Sequence, residues 1–161
     1  MSVKKMKRRA ILAFVQDKPG TLNKISMMIR RKMYNVDTLT VCKAKPAGVS
    51  RMTITLREDD EAKVLQVIRQ LEKFTEVIRA KELDRDHSYW REVAIIKFEL
   101  DGKRLEKLKK KYQLEILDSQ PHDIHIVQIA GPTDRLDSFL EDLGAEHLIE
   151  IARTGVTALE K

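Results

Sequence analysis

Two short stretches carry the groups best suited to hold a small ligand. Asp17-Lys18-Pro19-Gly20 closes an apolar run and leads into a helical pattern at Thr21. The N–H groups of a helix's first turn, with the positive end of its dipole, suit a carboxylate or a phosphate. Gly20 lets an anion approach the main chain, because no side chain stands in the way. Asn35 follows the same helical pattern and offers both a donor and an acceptor. A free amino acid needs donors for its carboxylate, acceptors for its ammonium and an apolar wall. This region supplies all three if two copies meet. The plainer alternative is an ordinary strand–helix turn followed by an asparagine at a helix stop.

Elsewhere the chemistry is thin. The glycines Gly20, Gly48, Gly102, Gly131, Gly144 and Gly155 are too far apart for a dinucleotide fingerprint or a P-loop. No Gly-x-Ser-x-Gly elbow occurs. Cys42 lies mid-strand with no helix N-terminus to activate it, which reads as a structural thiol. His122 and His125 have ligand-like spacing, but across a turn and with no cysteine or third histidine beside them. Asp59-Asp60 reads as acid at a helix start, where the dipole favours it, rather than as an acid–base pair. No catalytic residue and no metal site is expected, which points to a binding or regulatory module.

The elements that position these residues follow from periodicity. Ala10 to Gln16 is a strand. Leu22, Ile25, Ile29 and Met33 then share a helical face. Val36 to Ala44 and Arg51 to Leu56 alternate and are rich in β-branched residues, so they read as a hairpin. Val64, Leu65, Ile68 and Leu71 mark a second helix, and Phe74 to Leu83 a fourth strand. A polar stretch, Leu83 to Trp90, breaks the pattern, and the order then repeats. Glu92 to Leu100 is a strand and Gly102 to Tyr112 a helix. Gln113 to Ser119 and Ile124 to Ala130 form a hairpin. A helix follows with Pro132 at its first position and Gly144 as its cap. His147 to Ala152 is the last strand. The fold class is therefore α+β: two ferredoxin-like βαββαβ domains. The expected boundaries are 1–83 (with a basic tail, 1–8), a linker at 84–91, and 92–161. Each half should have one open sheet face and free edges, so a homodimer is expected.

The chain has 161 residues, 42% apolar and 35% charged, with a formal charge of +6. That composition argues against disorder, and no apolar run approaches the ~20 residues of a membrane span. A single cysteine and no signal-like segment fit a cytoplasmic protein. The basic excess sits in the N-terminal tail, in Arg30-Arg31-Lys32 and in Lys107 to Lys111, and reads as solvated surface. With few aromatics, Phe14 and Phe98 in strands that read as buried, and no aromatic-plus-basic stripe, no nucleic-acid partner and no membrane partner is expected.

The motifs DKPGTLNKI, YNVDTLTV and GVSRMTI, in that order, resemble an ACT domain. ILDS, VQIAGPTDRLDSFL and IEIARTGVTAL extend the likeness over about residues 9–160. Together they resemble the small, regulatory subunit of acetolactate synthase (acetohydroxyacid synthase). The resemblance implies ACT domains paired side by side into one sheet. A branched-chain amino acid, usually valine, would bind between them. Asp17, Pro19, Gly20, Thr21 and Leu22 would form one side of that site, and Asn35 and Val36 of the partner the other. It also implies a chain that binds no cofactor and catalyses nothing. Such a chain activates a large subunit carrying thiamine diphosphate, Mg²⁺ and FAD, and confers feedback inhibition on branched-chain amino acid biosynthesis. The alternative is a free-standing ACT-domain sensor serving another enzyme or a transcription system. Three departures from the family's pattern stand out. Asp17 stands where an amide is frequent, Met33 where glycine precedes Tyr-Asn, and Gln113-Leu114 where Arg-Gly precedes ILD.

Overall fold

The computed structural model describes residues 6–161. Of the expected basic tail, Met6, Lys7 and Arg8 are described; the rest lies outside those residues. The chain forms two compact units. One runs to Ser88 and is rejoined by Ala158–Lys161; the other is Tyr89–Thr157. Both are α+β.

The first unit runs β1 (Arg8–Gln16), α1 (Thr21–Arg31), β2 (Val36–Lys43), β3 (Val49–Arg57), α2 (Glu61–Leu71) and β4 (Val77–Glu82). Its antiparallel sheet has the order β2-β3-β1-β4. Ile11, Ala13 and Val15 of β1, with Met52, Ile54 and Leu56 of β3, pack against Ile25 and Met28 of α1 and Val64, Val67, Ile68 and Leu71 of α2. Alternation then puts Ala10 and Leu12 on the opposite face, and they are buried as well. An open face was expected there. Part of the reason is the chain's own C-terminal residues. Lys161 donates its N–H to the His87 carbonyl (3.0 Å), and Lys81 pairs with Glu160 at 2.6 Å. The Arg51 guanidinium donates to the Ala158 carbonyl and also faces the Phe14 ring. Ala158–Lys161, which periodicity leaves at the end of the second domain, thus pack with the first unit.

The second unit repeats the plan. Its elements are β5 (Ser88–Glu99), α3 (Gly102–Tyr112), β6 (Glu115–Gln120), β7 (Ile124–Gly131), α4 (Thr133–Leu143) and β8 (Leu148–Arg153). The strand order is β6-β7-β5-β8. Its core rings stack edge to face, Phe98 on Phe139 at 6.1 Å and Tyr112 on Phe139 at 5.4 Å. Along β5 buried and more exposed residues alternate, so this sheet keeps one open face, with Ile95 on it. A short strand, β9 (Thr157–Glu160), was not expected; all but its first residue belong to the first unit.

Several boundaries moved for local reasons. β5 starts at Ser88, earlier than expected, because Ser88, Trp90 and Glu92 already alternate inward. β4 starts only at Val77, since Phe74 donates its N–H back to Leu71 and closes the helix turn instead. Pro132 precedes α4 as its cap rather than opening it: its ψ of 142° is extended. Asp60 caps α2 by accepting the Ala62 N–H at 2.9 Å, which gives that carboxylate a structural task.

The end of α1 positions Asn35 and is strained. Tyr34 donates its N–H to the Ile29 carbonyl (3.2 Å) and Met33 to the Arg30 carbonyl (3.1 Å). This six-to-one, five-to-two pair is a Schellman ending, with Met33 at the left-handed position, φ 58°. Left-handed backbone costs a residue bearing a Cβ about 1–2 kcal/mol. The Met33 side chain is 89% exposed and stabilises little by burial. Met33→Gly should therefore raise stability by about 1 kcal/mol. A urea midpoint equal to or below the parent's would refute this.

Arg153 organises the second unit's far edge. Its guanidinium grips the Glu92 carboxylate with two hydrogen bonds, 2.8 and 2.7 Å, and donates to Asp137 of α4 at 3.0 Å. These bonds, Glu92's first, raise the Arg153 pKa. Thr154 and Val93 exchange further bonds beside it. The EIARTGV stretch thus has a structural role in joining β8 to β5 and α4.

Candidate functional site

The loop after β1 is built by the backbone. Gln16 donates its N–H to Glu76 (2.8 Å) and Asp17 to Gly48 (2.9 Å), so the loop is pinned to both neighbouring connections. Thr21 is buried and donates its hydroxyl to the Gln16 carbonyl at 3.2 Å, folding the turn back on the strand. Gly20 caps α1 with φ 86°, a conformation that disfavours any side chain. An added Cβ there would meet nothing within 4 Å. The glycine therefore serves the backbone conformation and leaves open space before the helix N-terminus. Asp17, Pro19 and Gly20 are exposed, and Leu22 is 46% exposed beside them. The Lys24 ammonium hydrogen-bonds Glu76 and holds its carboxyl below the usual range.

Asn35 is exposed at the start of β2 and lines a cavity of about 480 Å³ with Tyr34, Arg57, Lys63 and Gln66. Val36 beside it is half-buried against the core. Next along β2, Asp37 accepts from Arg57 at 2.8 Å. Nothing in the sequence pointed to Lys63 and Gln66, whose one-turn spacing on α2 is that of any exposed helix face.

Asp17, Pro19, Gly20, Thr21 and Leu22 thus stand together, and Asn35 and Val36 stand together. The structure does not join the two groups within one protomer. The whole of α1, 11 residues, separates Gly20 from Asn35, a rise of about 16 Å. β1 and β2 are both antiparallel to β3, hence parallel to each other. The loop is at the C-terminal end of β1 and Asn35 at the N-terminal end of β2, at opposite ends of the sheet. β2 is an edge, hydrogen-bonded only to β3 within the sheet.

His125 donates its Nε2–H to the Leu100 carbonyl (3.1 Å) and shares a hydrogen bond with the Ser119 hydroxyl through Nδ1 (3.0 Å). Its task is to tie β7 to its neighbours. Among the described residues no cluster of three or more His, Cys, Asp or Glu is placed to hold a metal. No helix among them is long and apolar enough to cross a membrane.

A four-stranded βαββαβ sheet with a glycine-capped helix N-terminus and an unpaired edge strand defines a regulatory domain of the ACT type. Residues 11–79 match the family model for the AHAS small subunit-like ACT domain, and residues 91–161 the model for the small subunit of acetolactate synthase. The chain belongs to the acetolactate synthase small-subunit family. It is 32% identical to the acetolactate synthase isozyme 3 small subunit of Salmonella typhimurium, with 96% of each chain covered. A probable acetolactate synthase small subunit of Methanothermobacter thermautotrophicus is 31% identical, over 94% of this chain and 91% of that one. The crystal structure of the Thermotoga maritima acetolactate synthase small subunit superposes with a TM-score of 0.83 at 26% identity, covering 97% and 98%. The chain is a regulatory small subunit with an ACT domain.

Proposed function

We propose that two copies of this chain pair along β2, bind a branched-chain amino acid between them, and regulate a catalytic large subunit in branched-chain amino acid biosynthesis in the cytoplasm. The observation that carries this reading is the geometry of β2. If the edge pairs antiparallel with its own copy about a two-fold axis, the start of one β2 meets the end of the other. Asn35 of one copy then approaches the Gly20 loop of the second, because that loop lies at the same end as the C-terminus of β2. The site would be complete only in the dimer.

The roles follow from chemistry. The N–H groups at the start of α1 receive the effector's carboxylate, favoured by the helix dipole. The Asn35 carboxamide oxygen and the Asp17 carboxylate accept from its ammonium. Leu22 and Val36 form the apolar wall, and valine is the leading candidate. Pro19 and Thr21 fix the turn. This chain supplies no catalytic group in that reading. Thiamine diphosphate, Mg²⁺ and FAD would belong to the large subunit, which condenses pyruvate with a second 2-oxo acid.

Reconstitution tests this directly. The chain alone should form no acetolactate from pyruvate. Added to the large subunit of the same organism, it should raise turnover and make it sensitive to valine. Turnover by the chain alone, or an unchanged large subunit, would refute the assignment.

A further inference from the structure

The first unit carries a cavity of about 550 Å³ on its helical side, between α1 and the end of α2, that the effector reading does not use. Lys24, Met27 and Arg31 lie at i, i+3 and i+7 and so share one face of α1. Met27 is 47% exposed, and Phe74 adds apolar surface beside it. Lys32 and Lys73 complete a basic rim. The carboxylate on that rim, Glu76, is paired with Lys24. Arg31, Lys32 and Lys73 are therefore left as an excess of positive charge around an apolar floor.

Two features suit a polypeptide segment better than a compact anion. Arg31 ends α1 while Lys73 follows α2, so these charges come from two different elements and line a groove rather than converge on a point. The floor includes an exposed methionine, whose flexible thioether adapts to irregular apolar partners. A helix or turn presenting an apolar anchor flanked by carboxylates would satisfy both floor and rim. We infer that this groove docks an acidic amphipathic segment of the large catalytic subunit. The inference rests on the regulatory reading above and adds where the contact is made and what chemistry the partner brings.

Calorimetric titration of full-length variants into the large subunit, at low and high salt, tests it. Arg31→Glu/Lys73→Glu should weaken binding at least about tenfold and flatten its salt dependence, since steering charges act most at low ionic strength. Met27→Lys, which keeps the rim and removes the anchor, should weaken binding several-fold at both salts. Lys107→Glu/Lys110→Glu makes the same charge change on exposed α3 and should bind as the parent does. The melting shift produced by valine should be unaltered in all three. If the double charge reversal failed to fold by circular dichroism, Met27→Lys alone would decide. Parental affinity in the groove variants, or equal weakening by the α3 control, would overturn the docking assignment while leaving the regulatory function standing. Failure of the parent itself to bind the large subunit would overturn both.

Discussion

Arg153→Ala should destabilise the second unit by about 3–5 kcal/mol, the cost of leaving a buried carboxylate without its counter-ion. The Glu92 side chain has no exposed surface and Arg153 is 26% exposed, so water entering beside the truncated residue would replace only part of the guanidinium's bonding to Glu92. The bidentate geometry adds to the loss, since both carboxylate oxygens lose a charge-assisted donor. Asp137 loses its bond at the same time, which frees α4 from β8. The pair itself need not be strongly stabilising: removing both charges should recover most of the loss. Arg153→Met/Glu92→Met should therefore be far more stable than Arg153→Ala, with a coupling of several kcal/mol in the double-mutant cycle. Urea denaturation followed by circular dichroism measures it. A loss below about 1 kcal/mol for Arg153→Ala would mean that Glu92 is hydrated in solution.

Gly20→Asp should abolish inhibition by valine while leaving activation of the large subunit within about twofold of the parent. Inhibition requires the effector; activation requires only the contact with the large subunit. The aspartate acts in two ways, and a second variant separates them. At φ 86° any side chain is strained, by about 1–2 kcal/mol. Gly20→Ala carries the strain alone, and its methyl group enters empty space. Gly20→Asp adds a negative charge where the effector's carboxylate should meet the helix N-terminus. Alanine should lower the melting temperature yet keep much of the inhibition, whereas aspartate should remove it. Asn35→Ala should also remove it, from the other copy's side. The coupling lost is of the usual allosteric size, about 1–3 kcal/mol, or roughly 5- to 150-fold in effector response. If Gly20→Asp and Asn35→Ala both fold, activate and remain as valine-sensitive as the parent, the effector binds elsewhere.

The element order was legible because helical and strand periodicities differ so plainly. Leu22, Ile25 and Ile29 can share only a helical face, and RMTITL alternates like a strand. What stayed hidden depends on partners distant in the sequence. Nothing in TALE marks a strand, and the start of β5 at Ser88 shows only once Trp90 and Glu92 are seen to be buried. The left-handed turn at Met33 was hinted at only by the glycine usual at that position, because methionine carries no signal of its own for positive φ; its hydrogen bonds settle it. The candidate site was readable as a set of residue types. That the loop and Asn35 lie at opposite ends of one protomer was not, since it depends on β1 and β2 running the same way. The role of Arg153 was likewise invisible: its partners lie 61 and 16 residues away.

The return of Ala158–Lys161 to the first unit has a consequence for biogenesis. In chain terms the second unit is an insertion inside the first. As the polypeptide leaves the ribosome, residues up to Ser88 emerge early and can collapse around β1. The Ala158 carbonyl that receives Arg51 does not yet exist. At ~5–20 residues per second, the intervening Tyr89–Thr157 delays that last piece by roughly 3–14 s. During that interval the far face of the nascent sheet, with Phe14 and Arg51, lacks its C-terminal cover. A ribosome pause within α3 or β7 would lengthen the exposure, so translation speed over the second unit would govern how cleanly the first one matures.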